Sequence, residues 1–201
     1  MTGVDPHAGS PQPGLLVVVA GPSGVGKGTV HGEVRAALPD AQLSVSLTTR
    51  APRPGERDGR EYRFVDRAEF ERVRDAGELL EWTEYAGNLY GTPLAPLDDA
   101  VAAGRVVILD FELEGAFNVK AMRPDTLTIA LVPPSMAELE RRLTERGTEQ
   151  PAARATRLAV IAEQMPHWER FDRVIVNDDL PACVDQVLAA IAQARAARRT
   201  S

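Results

Sequence analysis

Apolar residues along the chain fall into two kinds of pattern. Leu15–Ala20, Arg105–Phe111, Thr126–Val132 and Arg173–Val176 are short runs, nearly continuous and rich in β-branched residues. A strand covered on both faces has no polar side to show, so these runs predict the buried strands of a parallel sheet. Ala41–Thr48 is expected to add another strand. Between the strands lie helical patterns over Lys27–Leu38, Pro93–Ala103, Ser135–Arg146, Pro151–Met165 and Pro181–Ala197. Strand and helix alternate, which predicts an α/β class with a doubly wound parallel sheet flanked by helices.

Two stretches break the alternation. Arg50 to Tyr90 carries a Pro/Gly/Arg segment, a short helical pattern near Arg67–Ala76 and several aromatic residues, and is expected to be an inserted subdomain. Ser135 to His167 is predicted as a helical hairpin dense in arginine. The expected organisation is a disordered tail over 1–13 and one domain over 14–201. Its core spans 14–44, 96–136 and 168–201, its inserted subdomain 45–95 and its helical lid 137–167.

Composition narrows the function classes. With 201 residues and 44% hydrophobic content, the chain can bury a core as one domain. No apolar run approaches the ~18 residues of a membrane span. The Pro/Gly-rich start lacks the basic and apolar regions of a signal peptide. A single cysteine, Cys183, suits the cytoplasm, and the scattered His7, His31 and His167 offer no zinc constellation. A net charge of −6 argues against nucleic acid as a partner, and no membrane partner is expected. A homo-oligomer stays open. Only Lys27 and Lys120 are lysines; the other cations are arginines, whose planar fork suits phosphate. Most of them are expected to be a matter of composition, so position must decide which ones matter.

One position is marked by glycine. Gly21, Pro22, Ser23, Gly24, Val25, Gly26 and Lys27 follow the first strand and open a helix, the context that gives a phosphate-binding loop its meaning. Backbone amides there can curl around phosphates, helped by the helix terminus. Lys27 is expected to reach the β- and γ-phosphates of ATP. The next residue is Gly28, where Ser or Thr usually touches Mg2+; Thr29 follows and is the candidate to take over a phosphate or metal contact.

The segment Ser46-Leu-Thr-Thr-Arg50-Ala-Pro-Arg53-Pro-Gly-Glu-Arg-Asp-Gly-Arg-Glu-Tyr62-Arg-Phe64 places two arginines three apart in a stretch stiffened by Pro52 and Pro54. With the Ser46 hydroxyl and the Tyr62 phenol they could enclose a phosphate dianion; a solvated basic loop is the alternative. Together with Glu81-Trp82, Gly87-Asn-Leu-Tyr90-Gly-Thr92, Arg146-Gly-Thr and Val176-Asn-Asp-Asp179, the segment resembles the guanylate kinase family. The resemblance runs from about Leu15 to Leu180.

That resemblance implies transfer of the γ-phosphoryl group of ATP to GMP, with dGMP as a second acceptor and Mg2+ accompanying ATP. It implies that Ser46, Arg50, Arg53, Tyr62 and Tyr90 hold the GMP phosphate. Base choice then rests on Glu81 and Thr92, with Asp110 and Glu112 nearby. A carboxylate accepts from guanine N1–H and its amine, whereas adenine N1 is itself an acceptor. Thr92 is expected to donate to the guanine carbonyl. Asp110, at a strand end, is the carboxylate expected near the metal. Arg142 and Arg146 share a helical face, and the resemblance selects them with Arg157, Lys27 and Arg50 as catalytic. It also implies an adenine-side contact from Asn177. The rivals are a kinase acting on AMP or a phosphorylated sugar, and a protein-binding scaffold that no longer turns over nucleotide.

Overall fold

The computed structural model describes residues 12–146 and 150–200. Of the expected N-terminal tail, residues 1–11 lie outside this range. Leu15–Ala20 forms β1, and every one of its residues is buried. Leu15, Val17 and Val19 enter one hydrophobic cluster, whereas Leu16, Val18 and Ala20 enter another. This is why the run has no polar member. Val106–Phe111 (β7) and Leu127–Val132 (β8) flank β1 in parallel, Ala41–Leu43 (β2) and Arg173–Val176 (β9) take the edges, and the order is β2-β7-β1-β8-β9.

Helices cover both faces. Lys27–Ala37 (α1) and Leu180–Arg199 (α7) supply Val30, Val34, Val184, Val187 and Ile191 to one side of the sheet. Leu94–Ala102 (α3) and Leu113–Met122 (α4) cover the other, joined by Trp168 and Phe171. No helix among the described residues is long and apolar enough to cross a membrane.

Ala41–Thr48 is not one strand, contrary to expectation. Its first half, β2, pairs with β7 as far as the Ser44 amide, which donates to Ile108 at 2.9 Å. Leu47–Thr48 (β3) belongs instead to a second sheet of order β4-β3-β6-β5. That sheet includes Arg63–Phe64 (β4) and a hairpin of Leu79–Tyr85 (β5) and Asn88–Pro93 (β6). Arg67–Asp75 (α2), capped by the Asp66 carboxylate on the Glu69 amide, lays Phe70 and Val73 against Leu47 and Leu89. The second sheet thus has its own small core.

Met136–Arg146 (α5) and Pro151–Gln164 (α6) form the helical hairpin, packed through Leu139, Leu143 and Ile161. A short 3-10 helix over Met165–Arg170 returns the chain to the main sheet.

Candidate active site

Close approach shapes the loop between β1 and α1. A Cβ on Gly21 would come 2.5 Å from the carbonyl oxygen of Leu131, and one on Gly26, at φ 100°, would come 2.7 Å from Asn177 Nδ2. Only glycine fits both places. Lys27 folds back over the loop, donating from Nζ to the Gly21 carbonyl at 2.7 Å, with Asp110 Oδ1 3.8 Å away. Asp110 lies near the C-terminal end of β7, in register with Val19 of β1, and is half exposed. Its other oxygen lies 3.8 Å from His31 Nδ1. His31 is buried on α1, and that burial lowers its pKa, an effect that Asp110 opposes.

Three elements converge on the loop from the other side. Asn177, following β9, is buried and donates from Nδ2 to the Val25 carbonyl at 2.7 Å. Arg142 of α5 donates from Nη1 to the Asn177 carbonyl at 3.0 Å and to the Val25 carbonyl at 3.5 Å. Arg157 of α6 donates to Ser23 Oγ at 2.8 Å. The helical hairpin therefore rests its arginines on the glycine loop. Glu138 orients Arg142 by accepting from its Nε at 2.7 Å. Hydrogen bonds from Arg141 and Arg142 pull the Glu138 carboxyl down to a pKa of about 2. Arg141 also pairs with Glu145. Arg146 ends α5, and its side chain lies outside the described part of the structure.

The second group of expected residues lies across a cleft. Glu81 on β5 stands opposite Thr92 on β6, and the Thr92 hydroxyl donates to Glu81 Oε1 at 2.8 Å. Ser46 Oγ lies 3.2 Å from Thr92 Oγ1. Thr92 has one hydroxyl proton and gives it to Glu81, so Ser46 is the donor in the second contact. Thr92 is fully buried and buttresses Glu81, and Ser46 stands with this pair, lining the same cleft as Tyr62 and Tyr90. Burial raises the Glu81 pKa, and the Thr92 hydrogen bond offsets part of the rise.

Nearby, the Arg50 guanidinium carbon lies 5.5 Å from the Tyr62 ring centre, and Tyr62 meets Tyr90 edge-on at 5.9 Å. Arg50 donates from Nη2 to both oxygens of Glu56 at 2.9 Å and from Nη1 to the Ala51 carbonyl at 2.7 Å. Arg53 is exposed. A cleft of about 840 Å3 has Ser46, Tyr62, Glu81 and Tyr90 on one side and Asp110 and Glu112 on the other. Glu112 is the N-cap residue of α4, is exposed and lines the cleft. Gly28 is exposed with open space beyond its Cα, and Thr29 is exposed beside it.

Sequence reasoning missed Glu56 and Glu138. A signal existed for Glu138, whose i,i+4 spacing to Arg142 is a readable helical pair. For Glu56 the signal was weaker: a carboxylate three residues after Arg53 in a proline-stiffened stretch.

A glycine loop beside the central strand of a five-stranded parallel sheet, with a second polar pocket facing it, defines a P-loop kinase. Residues 14–194 match the guanylate kinase family. The chain is 50% identical to a guanylate kinase of Thermobifida fusca over 94% of its length and 96% of the relative's. It is 48% identical to one of Synechococcus elongatus over 89% and 97% of the two chains. The crystal structure of guanylate kinase from Anaplasma phagocytophilum superposes with a TM-score of 0.69 at 34% identity, covering 92% of this chain and 87% of that one. A gluconokinase from Sinorhizobium meliloti, at 18% identity and a TM-score of 0.51, shares the fold. The chain belongs to the guanylate kinase family.

Proposed function

We propose that the protein transfers the γ-phosphoryl group of ATP to the 5′-phosphate of GMP, and of dGMP, giving ADP and the nucleoside diphosphate. One observation carries this reading. The cleft lined by Glu81 and Ser46 also reaches Asp110, whose carboxylate stands 3.8 Å from Lys27 on the glycine loop. An acceptor bound through its base at Glu81 would point its phosphate toward Arg50, Tyr62 and Tyr90, and then toward the donor loop. Arg53, exposed three residues beyond Arg50, adds charge at the rim of the acceptor side. Residues 45–95 are then the acceptor-binding unit and 137–167 the lid.

An oxygen of the acceptor phosphate attacks the γ-phosphorus, the bond to the β–γ bridging oxygen breaks, and ADP leaves with that electron pair. The attacking oxygen is already ionised, so no general base is needed; positioning and charge neutralisation supply the catalysis. Lys27, Arg142, Arg146 and Arg157 are assigned to the transferring group's charge, and Asn177 to the adenine side and to holding the loop.

Mg2+ is the assigned cofactor. Its preference is for hard oxygen donors, with one or two from protein and the rest from phosphate and water. The half-exposed Asp110 carboxylate and the exposed Thr29 hydroxyl fit that donor set, and Gly28 offers no side chain to compete. When bound, the ion offsets charge on the β- and γ-phosphates. The working compartment we assign is the cytoplasm.

The deciding measurement is ADP release with GMP, dGMP, AMP, a ribose phosphate or no acceptor. GMP and dGMP should raise the rate well above the acceptor-free background. ATP binding with no response to GMP would identify a scaffold, and a larger response to AMP would overturn the base assignment. The loop geometry adds a second prediction. Gly26→Ala forces a side chain into a left-handed conformation and against Asn177. Strain of that kind should raise KM for ATP about tenfold or more, measured by ATP titration at saturating GMP.

A further inference from the structure

Arg50 presents its guanidinium in an unusual setting. Ala51 to Gly55 and Arg57 to Glu61 are exposed, yet between them the Glu56 side chain is only 18% exposed and that of Arg50 14%. The loop turns its one inward carboxylate onto its one inward guanidinium. Glu56 Oε1 accepts from Arg50 Nη2, and Oε2 accepts both from Arg50 Nη2 and, at 2.8 Å, from the backbone amide of Arg53. A single side chain thus joins the guanidinium at one end of the Pro52–Pro54 stretch to the backbone at the other.

The donor count shows what this contact does. A guanidinium has five N–H donors; the bonds to Glu56 and Ala51 use three at most, and a side-chain hydrogen bond with Tyr90 engages one more. A donor remains for a phosphate oxygen, while the Tyr62 and Phe64 rings lie over the guanidinium at 5.5 and 5.9 Å. Glu56 fixes the orientation of the group without exhausting it. Arginine side chains otherwise lose considerable rotamer freedom when they bind an anion.

We infer that Glu56 is a positioning residue for the acceptor phosphate: it holds Arg50 and the Arg53 backbone in one geometry so that the site is formed before GMP arrives. This rests on the reading of Arg50 as a phosphate-binding residue. Glu56 itself, being anionic, is not a contact for the phosphate. Its hydrogen bonds with the Arg53 amide and with Arg50 hold its carboxyl below the usual glutamate range, so it stays ionised at working pH.

The test is steady-state kinetics of Glu56→Ala, Glu56→Gln, Arg50→Ala and the Arg50→Ala/Glu56→Ala double variant, with GMP and ATP titrated separately. Glu56→Ala should raise KM for GMP about tenfold, the worth of one charge-assisted hydrogen bond. KM for ATP should stay within about twofold of wild type, because the contact lies in the acceptor loop. Glu56→Gln keeps an oxygen for the Arg53 amide and should fall between. In the Arg50→Ala background, removing Glu56 should raise KM for GMP by clearly less than it does in wild type, because one of the two groups it orients is gone and only its hold on the Arg53 backbone remains. Equal effects of Glu56→Ala in both backgrounds, or parallel rises in KM for ATP and GMP, would show a merely structural role and overturn the inference. So would a KM for GMP unchanged in both single Glu56 variants. If Glu56→Ala fails to fold by circular dichroism, the isosteric Glu56→Gln carries the same comparison. A wild-type enzyme that does not respond to GMP would count instead against the proposed function.

Discussion

Replacing Lys27 by alanine should lower kcat about a thousandfold, the scale seen when a preorganised charge is removed from a developing negative centre. Lys27 is the only lysine at the loop, and its side chain is 16% exposed, so its ammonium works with little solvent screening. Its contact with the Gly21 carbonyl at 2.7 Å shows that the ammonium already lies inside the loop's curve, where the β- and γ-phosphates are expected. Alanine favours helix, so the first turn of α1 should survive and the far-ultraviolet circular dichroism should match wild type. The loss should fall more on kcat than on KM for ATP, since charge grows on the phosphoryl oxygens during transfer and the backbone amides still bind the donor. Single-turnover phosphoryl transfer, measured alongside ATP titration, separates the two effects. A loss under tenfold in turnover would sink the account of the loop.

The core was legible because buried parallel strands leave a plain trace. Leu15–Ala20 and Arg173–Val176 have their expected bounds, and the runs at 105–111 and 126–132 each begin one residue later than expected. Of the helices flanking them, α1, α3 and α7 were also found, since each carries an apolar face of helical period. What failed did so for physical reasons. Ala41–Thr48 alternates like one strand, but the chain changes sheets at Ser44–Ser46, a tertiary choice that local pattern does not encode. The β5–β6 hairpin turns at Ala86 and Gly87, both with positive φ, 49° and 77°. Alanine is rare in such a turn, so the usual Asn-Gly signal was missing. Helix α4 follows β7 almost directly and contains Gly115, and its start at Glu112 has no side-chain cap, so the acidic Glu114 in its first turn is a weak signal on its own. In the site, side-chain hydrogen bonding was the illegible part. Sequence motifs place Thr92 and Ser46 near Glu81 but say nothing about which hydroxyl proton is already committed. The same holds for Asn177, whose amide nitrogen is engaged with the Val25 carbonyl.

Glu81→Gln should reduce kcat/KM for GMP about a hundredfold and shift the preference toward AMP. The carboxylate can accept from both guanine N1–H and the exocyclic amine. The carboxamide keeps one acceptor but brings an NH2 that faces another donor, leaving a buried mismatch. Adenine offers N1 as an acceptor beside its own amine, so the same carboxamide pairs with it better. Thr92 reinforces the contrast: its hydroxyl donates to Glu81 Oε1 and helps fix the plane of the group. The pH dependence of the wild type follows from the raised pKa of Glu81, caused first by burial. Only the ionised carboxylate accepts both guanine donors, so KM for GMP should climb as pH falls, beginning at a higher pH than an ordinary glutamate would give. Glu81→Gln has no such proton, so this inflection should vanish while KM for ATP is unaffected. Stability carries the opposite sign. A carboxyl with a raised folded-state pKa favours folding below its unfolded pKa and loses that contribution as pH rises through the folded value. Without ligand, Glu81→Gln should therefore melt at or above the wild-type temperature at neutral pH, although it has lost most of its activity. A GMP-to-AMP ratio of kcat/KM equal in the two enzymes would remove Glu81 from base selection.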